Sequence, residues 1–126
     1  MSGGRKAPCP AQWKPAVVLW EPAIPDVSSE ELAGAERLVV HCWAKWAVAF
    51  AQPVDAVLLT LKQEYPGIVI RSCDVDESAG AVLAEKFKIT TVPTFVFFVR
   101  GKQMELVPGG TTVERIHPLL ERWNAS

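Results

Sequence analysis

Hydrophobic positions along this chain fall into short runs that alternate with spaced stripes. Residues 37–43 (Arg-Leu-Val-Val-His-Cys-Trp) are almost continuously apolar and rich in β-branched side chains, the pattern of a strand inside a parallel sheet. Ala47, Phe50, Ala51, Val54, Val57, Leu58 and Leu61 then recur at steps of three and four, which places them on one helix face. Pro53 sits inside that pattern and predicts a kink; Tyr65-Pro66-Gly67 ends it. Ile68 to Val75 reads as the next strand, and Asp76-Glu77-Ser78 as the cap of a helix carrying Val82, Leu83 and Phe87. Thr94 to Val99 is apolar on both faces and predicts a central strand. Arg100-Gly101 allows a two-residue turn into a strand over Lys102–Val107. Thr111 and Glu114 form a capping-box pair ahead of a stripe of Val113, Ile116, Leu120 and Trp123, which Pro118 is expected to bend or shorten.

Upstream, Ala16 to Trp20 is a short apolar run between Pro15 and Pro22 and predicts a strand. Pro22, Pro25 and Asp26 read as a loop, and Ser28 with Glu31 as a capping box opening a short helix through about Ala35. Residues 1–14 are rich in Gly, Pro and small polar groups and read as a loose tail. The order β-α-β-α-β-α-β-β-α predicts one α/β domain over residues 15–124, a central mixed sheet of about five strands flanked by four helices. Alternation implies parallel pairing, and the tight turn adds an antiparallel hairpin.

Composition narrows the function classes. Thirteen basic and fourteen acidic residues among 126 leave a net charge of −1, which argues against a nucleic-acid face or a polybasic membrane anchor. Hydrophobic residues at 49% with 21% charged suit a globular core. No run approaches the ~18 apolar residues of a membrane span. Arg5 and Lys6 have no apolar stretch behind them, so the start does not read as a secretory signal. Three cysteines, Cys9, Cys42 and Cys73, are odd in number and far apart, which disfavours a disulfide scaffold and makes a reducing, cytoplasmic or nuclear setting the expectation.

At Trp43-Ala44-Lys45-Trp46 the sequence resembles thioredoxins, which carry Trp-Ala-x-Trp between a central strand and a kinked helix. The resemblance continues through Asp74-Val75-Asp76-Glu77, Thr91-Val92-Pro93-Thr94 and Phe97 to Gly101, and closes at Gly109 and Leu120 to Trp123. It implies the thioredoxin fold and a cis peptide bond at Val92-Pro93, facing the motif and leaving the preceding backbone free to pair with an extended peptide. X-Pro is the one bond where cis costs only about 0.5–1 kcal/mol.

Thioredoxins place Cys-x-x-Cys after the second tryptophan, with the attacking thiolate at a helix N-terminus. Here those positions are Ala47-Val48-Ala49-Phe50, and both sulfurs are gone. The buried aspartate that such proteins carry two residues before the first motif tryptophan is His41, and their strand lysine falls on Ser72. No catalytic residue and no metal site is therefore assigned. Cys42 reads as a small buried hydrophobe, Cys73 as packed or at an edge, and Cys9 as an exposed thiol in the tail. Strand placement leaves open that Cys42 and Cys73 lie close across the sheet, but neighbouring-strand cysteines often have poor disulfide geometry and no disulfide between them is expected. His41 and Cys42 are adjacent on a strand and point to opposite faces. A hydrogen-bonded structural His41 and a surface His117 are expected. Asp74, Asp76 and Glu77 are explained by a strand end and a helix cap.

Residues 39–47 followed by Ala51-Gln52 also resemble the N-terminal thioredoxin-like domain of PICOT-type multidomain monothiol glutaredoxins, which have His and Ala at the positions of His41 and Ala47. That branch often keeps the second cysteine; here it is Phe50. In that family a Cys-Gly-Phe-Ser glutaredoxin domain follows, binds a bridged iron–sulfur cluster with glutathione, and works in iron trafficking with BolA-like partners. No Cys-Gly-Phe-Ser occurs here, so no cofactor is assigned to this domain. The resemblance leaves open a domain of a longer protein and a free-standing relative.

Three readings follow. The first is a redox-inactive protein-binding or targeting module whose groove combines the degenerate motif with Trp43, Trp46, Val92, Pro93 and Gly109, its partner an attached or separate glutaredoxin domain. Phe50 either extends that groove or turns inward to fill the space of the absent sulfur. The second is a thiol–disulfide or glutathione-dependent oxidoreductase using a non-motif cysteine. The third is a purely structural role beside a glutaredoxin domain.

Overall fold

The computed structural model describes residues 20–108 and 113–125. The chain forms helix α1 (Ser29–Gly34), strand β1 (Arg37–Trp43), a single 3-10 turn (Lys45–Ala47), helix α2 (Val48–Leu61), strand β2 (Val69–Asp74), helix α3 (Ser78–Phe87), strands β3 (Thr94–Val99) and β4 (Lys102–Pro108), and helix α4 (Val113–Asn124). The four strands lie in the order β2-β1-β3-β4. The candidate strand at Ala16–Trp20 falls, but for Trp20, outside the described residues, as do the tail, the Thr111 capping pair and Gly109. Trp20 itself is in no strand.

Local chemistry explains the boundaries. The Ser28 hydroxyl accepts the Glu31 amide at 3.1 Å while the Glu31 carboxylate accepts the Ser28 amide at 3.0 Å, which satisfies two free donors at the start of α1. Arg100 (φ 49°) and Gly101 (φ 84°) both adopt the left-handed backbone that a two-residue hairpin turn requires. Pro53 and Pro118 are accommodated within α2 and α4, which remain continuous helices. The Asp76 and Glu77 side chains do not cap α3. The Asp74 carboxylate instead accepts the Asp76 amide at 2.9 Å, and Glu77 occupies the cap position without a side-chain bond.

β1 pairs in parallel with β2 but antiparallel with β3, so alternation of strands and helices did not fix direction. The chain enters β3 where β1 ends, with Cys42 opposite Thr94. The left-handed Lys88 (φ 65°) turns it after α3. Side chains alternate across β1 and serve two cores. Val39 joins Phe95, Phe97, Leu58 and Trp123 under α2 and α4. Leu38, Val40 and Cys42 join Cys73, Phe98 and Phe87 beneath α1 and α3.

The segment before α1 is more structured than a loop. Ser72 donates its hydroxyl to the Ile24 carbonyl at 2.9 Å, and Asp26 makes an isolated parallel bridge to Ser72. The buried Asp55 of α2 accepts the amides of Ala23 at 2.9 Å and Ile24 at 3.1 Å.

Candidate functional site

The Trp43–Phe50 segment sits where β1 gives way to α2. Trp43 closes β1 and is buried, with Trp20 set edge-on against it at 5.2 Å between ring centroids. The single turn that follows swings Trp46 into solvent and leaves Ala47 buried at the head of α2. Val48 is half-buried, and Ala49 and Phe50 are exposed. Phe50 is 67% exposed and so does not fill the space of a missing sulfur. It lies one residue, about 100° around the helix, before Ala51, and misses the inward stripe of Ala51, Val54, Leu58 and Leu61.

Val92-Pro93 is a cis peptide bond, and both residues are half-buried. Trp46 and Val92 line one concavity of about 420 Å³ together with Val75, Ala81, Ala84 and Ile89. Trp46 is 73% exposed, so its indole forms a rim rather than a floor. Of the residues the sequence proposed for the groove, Trp46 and Val92 share this concavity. Ala47, Val48, Ala49, Phe50 and Pro93 do not line it, and Trp43 is buried. The contribution of α3 went unforeseen, although Ala81, Ala84 and Glu85 are spaced to share a helix side. Val82, expected on the packed face of α3, is exposed instead.

Charge near the motif is locally paired. The Lys45 ammonium lies 2.7 Å from Glu77 and 3.5 Å from Asp74, tying the motif turn to the turn before α3. Its hydrogen bond to Glu77 raises the Lys45 pKa and lowers that of Glu77. A surface pair of this kind adds little stability.

His41 departs from expectation. Its ring is wholly buried beside Phe95, and neither ring nitrogen has a hydrogen-bond partner among the described residues. The expected hydrogen-bonded histidine is therefore corrected: β1 presents the imidazole to the apolar core under α2, where its neighbours offer it no acceptor or donor. Burial pushes its pKa down to about 4, so the ring is neutral near pH 7. His117 is partly exposed, with Nε2 3.2 Å from the Tyr65 hydroxyl. Among the described residues, no three His, Cys, Asp or Glu side chains converge on a metal position.

Chemically, the motif offers shape and apolar area. Ala47 stands at the head of α2 where a thiolate would gain from the helix dipole, but it carries only a methyl group. The nearest sulfur in sequence, Cys42, lies on the opposite face of β1 from His41 and packs into the core beneath α3.

A family model for thioredoxin matches residues 26–122. Glutaredoxin-3 from Mus musculus is 34% identical over 77 residues, which cover 61% of this chain and 22% of that protein. The Homo sapiens glutaredoxin-3 is 32% identical over 83 residues, 66% of this chain and 24% of that protein. The chain thus spans about a quarter of the length of these relatives. The solution structure of oxidised thioredoxin from Plasmodium falciparum superposes with a TM-score of 0.70 at 22% identity, covering 81% of this chain and 99% of that one. The pairing of this fold with this motif position, and the match across most of the sequence, place the chain in the thioredoxin family.

Proposed function

We propose that this domain is a redox-inactive protein-binding module, and that its occupant is a Cys-Gly-Phe-Ser glutaredoxin domain, attached or separate. The observation that carries this reading is the exposure of Trp46 and Phe50 at the start of α2, where relatives of the fold hold their chemistry and Ala47 and Phe50 supply no sulfur. Two large aromatic faces left in solvent, one of them the Trp46 rim of an apolar concavity, favour burial against a partner. Similarity to glutaredoxin-3 and to the monothiol glutaredoxin-S11 of Oryza sativa favours a monothiol glutaredoxin as that partner. The domain itself then needs no cofactor. It serves cell redox and iron–sulfur homeostasis by positioning the glutaredoxin, in the cytoplasm or nucleus.

The test is titration of this chain with a purified Cys-Gly-Phe-Ser domain. Burying an aromatic side chain is worth about 1.5–3 kcal/mol, so Phe50→Ser is expected to weaken binding about tenfold or more. Unchanged affinity would remove Phe50 and the exposed start of α2 from the reading. In a dithiothreitol-driven insulin assay, the chain should show no turnover above a variant lacking all three cysteines. Turnover above it would favour the oxidoreductase reading.

A further inference from the structure

Cys42 and Cys73 are direct register partners on the parallel strands β1 and β2. Partners in one register position project to the same sheet face, and both sulfurs enter the core cluster beneath α1 and α3. Neighbouring strands lie about 4.7–4.9 Å apart. That falls inside the Cα separation of about 4.4–6.8 Å that disulfides span, and below its mode of about 5.5–6 Å. The Cβ atoms of register partners run side by side at about the strand spacing, a little beyond the ~3.5–4.5 Å that a disulfide takes. The poor rung geometry expected from the sequence is thus a modest misfit that a small local shift of the strands closes, and the resulting bond is readily reduced.

The two sulfurs differ in access. Cys42 is wholly buried, whereas Cys73 is 5% exposed and lines a small cleft of about 140 Å³ with Asp26, Val27, Ser72, Gly80 and Leu83. Gly80 keeps that wall thin: a Cβ there would lie 3.4 Å from the Cys73 sulfur. Interaction with the neighbouring Cys42 thiol holds Cys73 below the ordinary thiol range despite burial and the Asp26 and Asp74 carboxylates. The same interaction, with burial, pushes Cys42 up.

We infer that Cys42 and Cys73 form an oxidisable pair that a hydroperoxide converts to an intramolecular disulfide. The Cys73 thiolate attacks the terminal peroxide oxygen; the S–O bond forms, the O–O bond breaks, and the departing alkoxide or hydroxide takes up a proton. Cys73 is then a sulfenic acid, oxidised by two electrons as the peroxide is reduced by two. The Cys42 sulfur attacks the Cys73 sulfur; the S–S bond forms, the S–O bond breaks, and the hydroxide leaves as water with the Cys42 thiol proton. The sum is two thiols and one hydroperoxide giving one disulfide, one alcohol and one water, or two waters when the oxidant is hydrogen peroxide. This is a stoichiometric modification, and its cleft shares no residue with the apolar concavity at Trp46.

The test uses the full chain carrying Cys9→Ser, so that only this pair remains, treated with hydrogen peroxide under native conditions. The expected result is loss of both thiols together, a monomer lighter by two hydrogen atoms, a Cys42–Cys73 linked peptide pair, and recovery of both thiols with dithiothreitol. Survival of both thiols at a dose that consumes Cys9 in the parent chain would overturn the inference. So would linkage between chains, oxygenated products without a disulfide, or oxidation seen only in urea. In a Cys42→Ser variant, Cys73 should be trapped by dimedone as the sulfenic acid. In Cys73→Ser, Cys42 should react about tenfold more slowly or less, because its thiol is raised and enclosed. Equal reactivity would contradict the assigned order of attack, and the linked-peptide result stands without either variant should they fail to fold.

Discussion

The imidazole of His41 lies 5.4 Å from the Phe95 ring, centroid to centroid, with both nitrogens unpartnered among the described residues. Burial lowers its pKa from 6.5 to about 4, so the unfolded chain binds this proton more readily than the folded one. Stability therefore rises with pH across that window and is lost as pH falls from 6.5 toward about 4. The full shift corresponds to about 3 kcal/mol. His41→Leu should remove this share of the pH dependence and leave the variant more stable than the parent near pH 4.5. Urea unfolding at several pH values checks it; parallel curves for parent and variant would show that His41 does not titrate in this way.

Gly80 is expected to reverse the usual sign of a helix substitution. Alanine in place of glycine inside a helix ordinarily gains about 1 kcal/mol. Here a Cβ would stand 1.8 Å from the Asp74 carbonyl oxygen and 2.7 Å from its carbon, both backbone atoms. α3 must lift from the end of β2 to relieve that overlap. Gly80→Ala should cost about 3 kcal/mol or more, at or beyond the upper end of ordinary over-packing. A midpoint in urea equal to or above that of the parent would contradict the close approach.

Where local chemistry governs, the fold was legible. The residues from Arg37 to Trp43 and from Thr94 to Val99 form strands with the bounds their apolar runs predict, and the Ser28–Glu31 box and the Arg100-Gly101 turn form as their residue types require. Strand direction was not legible, because a helix between two strands does not record at which end of the sheet the chain re-enters. Phe50 shows a second limit. Spacing put it among the inward residues of α2, but periodicity assigns a sector about 100° wide, and a residue at its border in the first turn can face either way. The concavity beside Trp46 gathers residues from the motif turn, α3 and the approach to β3. No sequence period links such segments. Asp55 gave no signal at all: its role depends on the amides of Ala23 and Ile24, 32 and 31 residues away.

That same Asp55 is the anchor between α2 and the chain before α1. Its carboxylate is 5% exposed and accepts two backbone amides, one of them buried. An unpaired buried donor costs about 1–3 kcal/mol, so Asp55→Ala is expected to lose about 2–4 kcal/mol. Asp55→Asn keeps one acceptor oxygen and should lose less. Hydrogen exchange at Ala23 and Ile24 should quicken in Asp55→Ala before exchange in β1 does. Equal quickening throughout would indicate global unfolding rather than release of this segment.

Whether the scaffold lacks only sulfur can be asked directly. Ala47 and Phe50 stand three residues apart at the head of α2, a spacing that brings Cβ atoms to about 5–6 Å on a helix surface. A cysteine at Ala47 would gain from the positive end of the helix, which lowers a thiol pKa. The double variant Ala47→Cys/Phe50→Cys should therefore acquire dithiothreitol-driven insulin reduction that the parent lacks. The rate should remain below that of a thioredoxin, because His41, neutral and enclosed, stands at the position where the thioredoxin resemblance implies a buried, proton-accepting aspartate. Adding His41→Asp should raise it further. A double variant with both new thiols titratable and no turnover would mean that the groove itself, and not the missing sulfurs, has been reshaped away from the parental reaction.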